Sequence, residues 1–242
     1  MPVAPDLQSA DLQSADLQLK AEFNRWAERG RGEGMERDHL PITLPVLELM
    51  RLQPRERVLD LGCGSGWATR LLAARVPQGS VLGIDISDEM IRQAQTASGD
   101  FKNIAYKIGA ADSIPAEDDS FDKVLSVESF YYYPDQTRAL AELRRVVAPG
   151  GRVFILINLY KDNPYSLRWV GELAVPVHAL SQAEYIALIG AHGFAEIEAR
   201  RIPDPSPTPE TYTGKWFRNA QELRDFKRIG ALLLAASKPA KA

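Results

Sequence analysis

A short apolar strand passes directly into a helix through a turn with three glycines, and this turn constrains the fold more than any other feature. The segment 58–66 reads VLDLGCGSG. Glycines let the chain turn sharply, and they let a ligand approach main-chain atoms without interference from Cβ. The N-terminus of the following helix also offers free N–H groups. The segment therefore predicts a strand–turn–helix unit with a ligand site at the end of the strand.

Strands and helices alternate in short steps from Arg57 onward. Five strands are predicted at the apolar segments 58–61, 81–84, 104–108, 123–127 and 152–159. Helices are predicted after the first, second and fourth of them, at 66–76, 87–97 and 134–147. This alternation produces a doubly wound, mostly parallel α/β sheet. Two later strands, 195–202 and 231–236, lack a long crossover between them and indicate an antiparallel pair at the sheet edge.

The N-terminal part of the chain has a different pattern. Residues 6–18 repeat DLQSA, and a period of five keeps no single face of a helix apolar, so 1–18 is predicted to be a disordered tail. Phe23 and Trp26 continue from Leu19 on one helical face, and a second short helix is predicted at 43–52. Glycines between these helices predict flexible joints, so we interpret 19–54 as a helical lid. The main domain is predicted at 55–242, with substrate-loop insertions at about 160–180 and 203–229.

Acidic residues near the turn indicate the cofactor. Asp85 ends the second strand, where a carboxylate can accept both ribose hydroxyls of an adenosine group. A dinucleotide site prefers G-x-G-x-x-G, whereas Gly62, Gly64 and Gly66 are spaced G-x-G-x-G. Asp60 inside the turn would repel a pyrophosphate but suits the ammonium of an amino acid. These details favour S-adenosylmethionine (SAM) over a dinucleotide.

Composition sets limits on the class of protein. The chain has 242 residues, a net charge of −3 and a single cysteine. That charge argues against a nucleic-acid partner, and one cysteine excludes an internal disulfide or a cysteine-cluster metal site. No metal site is expected. With neither a signal-peptide pattern nor an apolar stretch long enough to span a bilayer, we expect a cytoplasmic protein without membrane contact. The oligomeric state is left open.

Four ordered segments together carry a resemblance to a known family. They are VLDLGCGSG at 58–66, GIDIS at 83–87, GAADSIPAEDDSFDKVLSV at 109–127 and RVVAPGGRVFIL at 145–156. This order resembles class I SAM-dependent methyltransferases, and in particular the small-molecule branch akin to ubiquinone/menaquinone C-methyltransferases. The resemblance implies a Rossmann-like seven-stranded sheet of order 3-2-1-4-5-7-6 whose last strand is antiparallel.

The resemblance also implies roles for individual residues. The methionine part of SAM would be surrounded by Asp60, Gly62, Gly64 and Gly66, and Asp85 would bind the ribose. Ile86 and Met90 would pack on the adenine, whose edge would meet Ala111 and Asp112. Glu128 and Ser129 would face the reacting methyl group. Cys63 in the turn and Ser113 beside Asp112 complete the predicted cofactor site, from which S-adenosylhomocysteine would leave as product.

Candidate acceptor-side residues come from three places. Tyr131, Tyr132 and Tyr133 follow the fourth strand, where open α/β sheets bind ligands, although they also suit simple packing. Phe23 and Trp26 are candidate lid residues, and Trp216 is a candidate wall or loop anchor. Candidate bases are Glu128, His39, Tyr131 and Tyr132, the histidine being equally suited to a surface position.

The predicted reaction is in-line transfer of the SAM methyl group to a small-molecule acceptor. An oxygen, nitrogen or acidic carbon acceptor would need a base, whereas a thiolate would need none. Two alternatives are kept: an RNA (tRNA) methyltransferase of the same fold, and a SAM-binding regulatory module without turnover. The acceptor itself is left open, because loops that differ among proteins of one fold determine it.

Overall fold

Residues 9–240 are described by a computed structural model, and their strands form one seven-stranded sheet. The strands are β1 (Arg57–Leu61), β2 (Ser80–Asp85), β3 (Ile104–Ile108), β4 (Phe121–Val127), β5 (Val147–Ile157), β6 (Ala195–Ile202) and β7 (Ala231–Ser237). Their order is β3-β2-β1-β4-β5-β7-β6. The first five strands are parallel, and β7 runs antiparallel to both β5 and β6. This confirms the predicted fold class, strand order and antiparallel last strand.

Helices cover the sheet, and polar caps begin several of them. They are α1 (Ser9–Glu28), α2 (Arg31–Met50), α3 (Trp67–Arg75), α4 (Asp88–Ala97), α5 (Gln136–Val146), α6 (Gln182–Ala191) and α7 (Ala220–Ile229). Ser181 and Glu184 form a capping box for α6, and the Asn219 side chain caps α7. The capping box is reciprocal, whereas the Asn219 side chain only accepts from the Glu222 N–H. Both satisfy N–H groups that the helix itself leaves free.

The central strands are buried on both faces. In β7, Leu232, Leu234 and Ala236 pack into the core on one side of the sheet, and Leu233 and Ala235 pack into the core on the other. Alternate residues of a strand point to opposite faces, so an unbroken apolar run fills both cores at once. The rigid sheet that results fixes the positions of the loops at its carboxyl edge.

The N-terminal helix is longer than the sequence predicted. Residues 9–18 belong to α1, so the prediction of a disordered tail is wrong there; residues 1–8 lie outside the described part of the chain. Leu12 is 3% exposed and continues the buried face of Leu19, Phe23 and Trp26, whereas Leu17 is 67% exposed. Leu12 precedes Leu19 by seven residues, two helical turns, so one leucine of the repeat is recruited to that face.

The glycines of residues 30–34 form a tight contact rather than a flexible joint. Only Gly30, with φ of 69°, breaks the helix, and α2 runs from Arg31 through Pro41 and Pro45 to Met50. A Cβ on Gly32 would lie 3.0 Å from the side chain of Ser65. The absence of a side chain therefore lets α2 pack closely against the glycine turn, and the predicted short helix at 43–52 is only its second half.

Within residues 9–240 no helix has both the length and the apolar character needed to cross a bilayer. The same residues contain no group of three or more His, Cys, Asp or Glu side chains arranged to hold a metal ion.

Candidate active site

A cavity of about 790 Å³ opens at the carboxyl ends of β1, β2 and β4. The chain continues outward from β1 to β2 and β3, then returns to place β4 on the other side of β1. Such a reversal leaves a crevice between diverging loops, the position where open α/β sheets bind ligands. Gly62, Asp85 and Glu128, each just beyond or at the end of one of these strands, all line it.

The three glycines of the turn have different roles. All three have a positive φ, which residues other than glycine rarely adopt. A Cβ on Gly62 would lie 2.5 Å from the side chain of Ser129, and one on Gly66 would lie 2.3 Å from the hydroxyl of Tyr106. A Cβ on Gly64 would have only the Met35 methyl within 4 Å, at 4.0 Å, and Gly64 lines the cavity. Gly64 thus provides the open backbone for a ligand, whereas Gly66 serves packing and does not line the cavity.

Asp85 is fixed by the backbone on both sides of its carboxylate. The N–H of Gly64 donates to Oδ2 and the N–H of Ser87 donates to Oδ1, each at 2.9 Å. Burial raises the pKa of Asp85, and these hydrogen bonds oppose that effect. A carboxylate has about four lone-pair sites, so each oxygen can accept one further hydrogen bond from a hydroxyl pair such as that of ribose.

Asp60 is 1% exposed and lies beside the same turn. The hydroxyl of Thr69 donates to its Oδ2 at 2.6 Å. Burial raises the pKa of Asp60 to about 7, and the nearby carboxylate of Asp85 adds to the effect. A positive group bound here would relieve the repulsion between the two carboxylates. The site therefore suits a cationic ligand group and disfavours a pyrophosphate.

The predicted adenine region is brought together except for one residue. Ile86, Met90, Ala111 and Asp112 all line the cavity. Ser113 does not; it forms an isolated β-bridge with Ala110. Its predicted place in the cofactor site is thus not supported, because the bridge turns this residue back onto its own loop.

Cys63 lines the cavity as a buried, inert side chain. Its Sγ lies 3.7 Å from the carbonyl oxygen of Gly64. Burial, together with the carboxylates of Asp60 and Asp85, raises the pKa of the thiol, and a protonated thiol is a poor nucleophile.

Glu128 follows β4 and is held in an unusual conformation. Its backbone angle φ is 53°, a value that residues other than glycine rarely adopt. The N–H of Asn158 donates to one carboxylate oxygen, and the hydroxyl of Tyr131 donates to the other at 3.0 Å. Burial raises the pKa of Glu128 to about 8 despite these two bonds. A buried, orienting environment and a pKa near neutrality are the properties of a proton acceptor.

The three consecutive tyrosines separate into different environments. Tyr132 contacts α1: its ring centroid lies 5.1 Å from that of Phe23 and 6.3 Å from that of Trp26, both edge to face. Tyr133 directs its hydroxyl to Ser129 at 3.0 Å, next to the glycine turn. The hydroxyl of Tyr131 donates to Glu128. All three tyrosines line the cavity, so a single short segment contacts α1, the turn and the candidate base.

His39 lies on α2 and also lines the cavity. Burial lowers its pKa to about 4, so the ring is neutral at pH 7. A neutral imidazole can accept a proton, but a pKa this low makes it a weaker base than Glu128.

Helix α1 covers the cavity and is anchored to the start of α4. Asn24 donates to Asp88 at 2.8 Å and accepts from the Ser87 hydroxyl at 2.6 Å. Gln93 donates to the carbonyl of Ala27 at 3.0 Å. These hydrogen bonds fix α1 against α4, in addition to the packing of Leu19, Trp26 and Ala27 into the hydrophobic core.

The residues present fit SAM. An open backbone at Gly64 lies beside the buried carboxylate of Asp60 and the half-buried carboxylate of Asp85, which match an amino-acid ammonium and ribose hydroxyls. Ile86 and Met90 provide an apolar surface for a purine.

Sequence reasoning missed several residues of the cavity wall. Asn158 directly follows β5 and lies next to Glu128; because carboxyl ends of neighbouring parallel strands meet, the adjacency of β4 and β5 was the signal for it. Trp169 and Phe226 come from the two insertions and join Trp216 and Phe217 at the cavity. No local pattern identified Trp169, whose segment has no apolar period, and the place of Phe226 on α7 does not by itself show which cavity it faces.

The family model that matches this chain describes methyltransferases, and two of its curated relatives are methyltransferases. The model of the methyltransferase domain matches residues 59–155. A malonyl-[acyl-carrier protein] O-methyltransferase from Halorhodospira halophila is 30% identical over 88% of this chain and 70% of its own length. A ubiquinone/menaquinone biosynthesis C-methyltransferase from Geotalea daltonii is 36% identical over 46% of this chain, and the match spans 49% of that relative. The chain thus spans about half the length of some of the curated relatives it matches.

A solved structure is similar over nearly all of the chain. It is a methyltransferase in complex with the Trm112 methyltransferase activator of Haloferax volcanii, 31% identical, with a TM-score of 0.85, covering 90% of this chain and 98% of the other. A geranyl diphosphate C-methyltransferase from Streptomyces coelicolor, solved with S-adenosylhomocysteine, has a TM-score of 0.63 at 17% identity and supports the fold alone. By sequence motif, sheet order and these relatives, the chain belongs to the class I SAM-dependent methyltransferases.

Proposed function

We propose that this chain transfers the methyl group of SAM to a small-molecule acceptor and releases S-adenosylhomocysteine. The charge of the cavity carries this proposal. Among the described residues its wall has eight acidic side chains against three basic ones: Asp16, Asp38, Asp60, Asp85, Asp112, Glu128, Asp135 and Asp204 against Arg31, Arg37 and Lys227. Acidic groups outnumber basic ones even with Glu128 and Asp60 protonated, as their pKa values of about 8 and about 7 allow near neutral pH. An RNA strand brings one negative charge per nucleotide and needs a basic surface, so this wall favours a neutral or cationic small molecule.

The chain's own residues supply alignment, exclusion of water and proton removal. SAM, when bound, supplies a methyl group already activated for displacement. The rings of Phe23 and Trp26 on α1 close over Tyr132 and keep water from the reacting atoms. Glu128, held by Tyr131 and the N–H of Asn158, is placed to accept the proton of an oxygen, nitrogen or carbon acceptor.

An acceptor screen with radiolabelled SAM tests this function. Phenols, quinones, thiols and total RNA are offered in parallel, and we expect label in a small organic product with matching release of S-adenosylhomocysteine. Filter binding of RNA at increasing salt concentrations is the control, and we expect no salt-dependent retention. Label recovered in RNA would establish the alternative function, and absence of transfer to every class would support a regulatory SAM-binding module.

We also propose that the chain binds a small activator protein of the Trm112 type. The Haloferax volcanii methyltransferase, of which this chain covers 98%, was solved in complex with such an activator. In this chain β3 is an edge strand, and Ile108 at its end is 52% exposed. An exposed edge with an apolar side chain offers main-chain hydrogen bonds and a contact point to an added strand.

Binding of purified Haloferax volcanii Trm112 checks this partner. We expect a complex with the unaltered chain, and Ile108→Lys should weaken it at least tenfold by placing a charge in the contact, an effect of about 1.4 kcal/mol. The control Leu44→Lys changes a different exposed apolar residue, which is 40% exposed on α2, and it should not affect binding. Failure of the unaltered chain to bind, or equal weakening by both variants, would contradict the edge-strand contact.

A further inference from the structure

The two insertions of the fold together form an aromatic box on the cavity wall. We use this name for Trp169, Tyr212, Trp216, Phe217 and Phe226, all of which line the cavity. The ring centroid of Trp169 lies 5.7 Å from that of Trp216 and 5.2 Å from that of Phe226. The ring centroids of Phe217 and Phe226 are 4.9 Å apart. Spacings of this kind are those of packed aromatic pairs, so the box is a built apolar surface and not a chance exposure.

Polar side chains around the aromatic box are paired with one another. Arg168 donates to Glu222 at 2.6 Å, joining the segment before Trp169 to α7. Lys227 donates to the hydroxyl of Ser206 at 2.7 Å and lies 3.3 Å from Asp204. These bonds connect the segments that carry the aromatic residues and occupy the polar side chains around them. The aromatic rings are therefore the groups available to contact a ligand.

One polar atom of the aromatic box lacks a partner. Nε1 of Trp169 is buried, and no described residue accepts a hydrogen bond from it. Buried N–H groups are nearly always hydrogen-bonded, and an indole N–H can only donate. The one oxygen on the rings of the box, the hydroxyl of Tyr212, accepts from the main-chain N–H of Trp216 at 3.2 Å. A molecule bound in the cavity can supply the acceptor that Trp169 Nε1 lacks.

The charge pattern around the box favours a neutral ring. Lys215 Nζ lies 4.2 Å from the ring centroid of Trp216, so the cation-attracting face of that indole is already occupied. A flat apolar ring can stack against the remaining rings without competing with a cation.

We propose that the methyl acceptor is a flat apolar ring system that packs in the aromatic box and carries an oxygen that accepts a hydrogen bond from Trp169 Nε1. This proposal rests on the proposed function, because it describes the acceptor of the same transfer. Trp169 is then a specificity-determining residue. An acceptor without that oxygen leaves a buried donor unpaired, which is the basis of discrimination between molecules of equal shape.

A matched pair of probes tests the proposal without requiring turnover. 1-Tetralone and tetralin share one ring body and differ by a carbonyl oxygen, and their dissociation constants can be measured by ligand-observed NMR. We expect the unaltered chain, saturated with S-adenosylhomocysteine, to bind 1-tetralone about five- to tenfold more tightly. In Trp169→Phe the ring is kept and the donor is lost, so the two probes should bind equally.

Trp216→Phe is the control, since it also exchanges an indole of the aromatic box but leaves Trp169 intact, and it should preserve the preference for 1-tetralone. Calorimetric SAM affinity should be unchanged in both variants, which shows that they fold. Equal binding of the probes to the unaltered chain, no binding of either, or a preference that survives Trp169→Phe would overturn the proposal. A normal probe preference without any methyl transfer would instead contradict only the proposed function.

Discussion

Replacement of Glu128 by Gln is expected to lower kcat by about 10²- to 10⁴-fold, the range that a positioned general base contributes. The amide keeps the size of the side chain but cannot accept a proton at accessible pH. The screened acceptor is used, and kcat is measured from pH 6 to 10 with the unaltered chain and with Glu128→Gln. SAM affinity is measured alongside, so that a loss of cofactor binding is not mistaken for a loss of chemistry.

The sign of the pH dependence follows from burial. With a pKa of about 8, Glu128 is protonated and inactive as a base at low pH, and the carboxylate forms as the pH rises through about 8. Activity of the unaltered chain should therefore rise through that pH, and the rise should be absent in Glu128→Gln. Tyr131→Phe removes a hydrogen bond that stabilises the carboxylate, so it should move the midpoint upward. A structural role alone would leave the midpoint in place.

Full activity in Glu128→Gln would show that the acceptor needs no base, as a thiolate would not. That result would not support His39 as the base either. With a pKa of about 4 its ring is neutral from pH 6 to 10, so it would not produce a rise in activity near pH 8.

Replacement of Asp85 by Ala is expected to weaken SAM binding by about 10²-fold or more. Hydrogen bonds to a charged group contribute about 1.5–3 kcal/mol each, and a ribose offers two hydroxyls. The variant also leaves the N–H groups of Gly64 and Ser87 without their acceptor, so the turn itself loses support. Calorimetry with SAM gives the affinity, and thermal unfolding gives the cost to stability.

A ligand analogue separates the binding role of Asp85 from the structural one. S-adenosylhomocysteine is compared with its 2′-deoxy analogue on both forms of the chain. If Asp85 accepts from the ribose, the analogue should bind the unaltered chain more weakly, and the difference should vanish in Asp85→Ala. An unchanged difference would mean that Asp85 only holds the turn. Asp100→Ala, at an exposed position, is the matched control and should change neither affinity.

Elements with a local signature were predictable from the sequence. Ser87 begins a helix at the predicted position, because a cap is a contact between residues three apart. The helix after β4 begins at Gln136 and not at Pro134, because the Asp135 side chain accepts from the Arg138 N–H and defines the start there. The larger errors fall in segments where neighbours along the chain do not decide the outcome.

Helix α1 is the clearest of these errors. The DLQSA repeat has no helical period of its own, and its leucines divide: Leu12 is buried and Leu17 is exposed. What makes the segment helical is packing of the Leu12 and Leu19 face on the rest of the molecule. Tertiary contacts override weak local preference, as they commonly do.

The sequence by itself predicted the alternating strands and helices, the antiparallel pair at the sheet edge and the glycine turn. These depend on the spacing of apolar residues and on glycines that permit positive φ, both of which are properties of a continuous segment. The full strand order, which the structure confirms, and the expected place of Glu128 came from the resemblance to the methyltransferase family.

Only the tertiary structure decided what surrounds Glu128 and what forms the acceptor end. Asn158 meets Glu128 across 30 residues of chain, and Arg168 meets Glu222 across 54. Trp169 joins Trp216 and Phe226 only after the two insertions fold against each other. A periodic pattern specifies which face of a segment is buried, but it does not specify the partner of that face, and the partners here make the chemistry of the site.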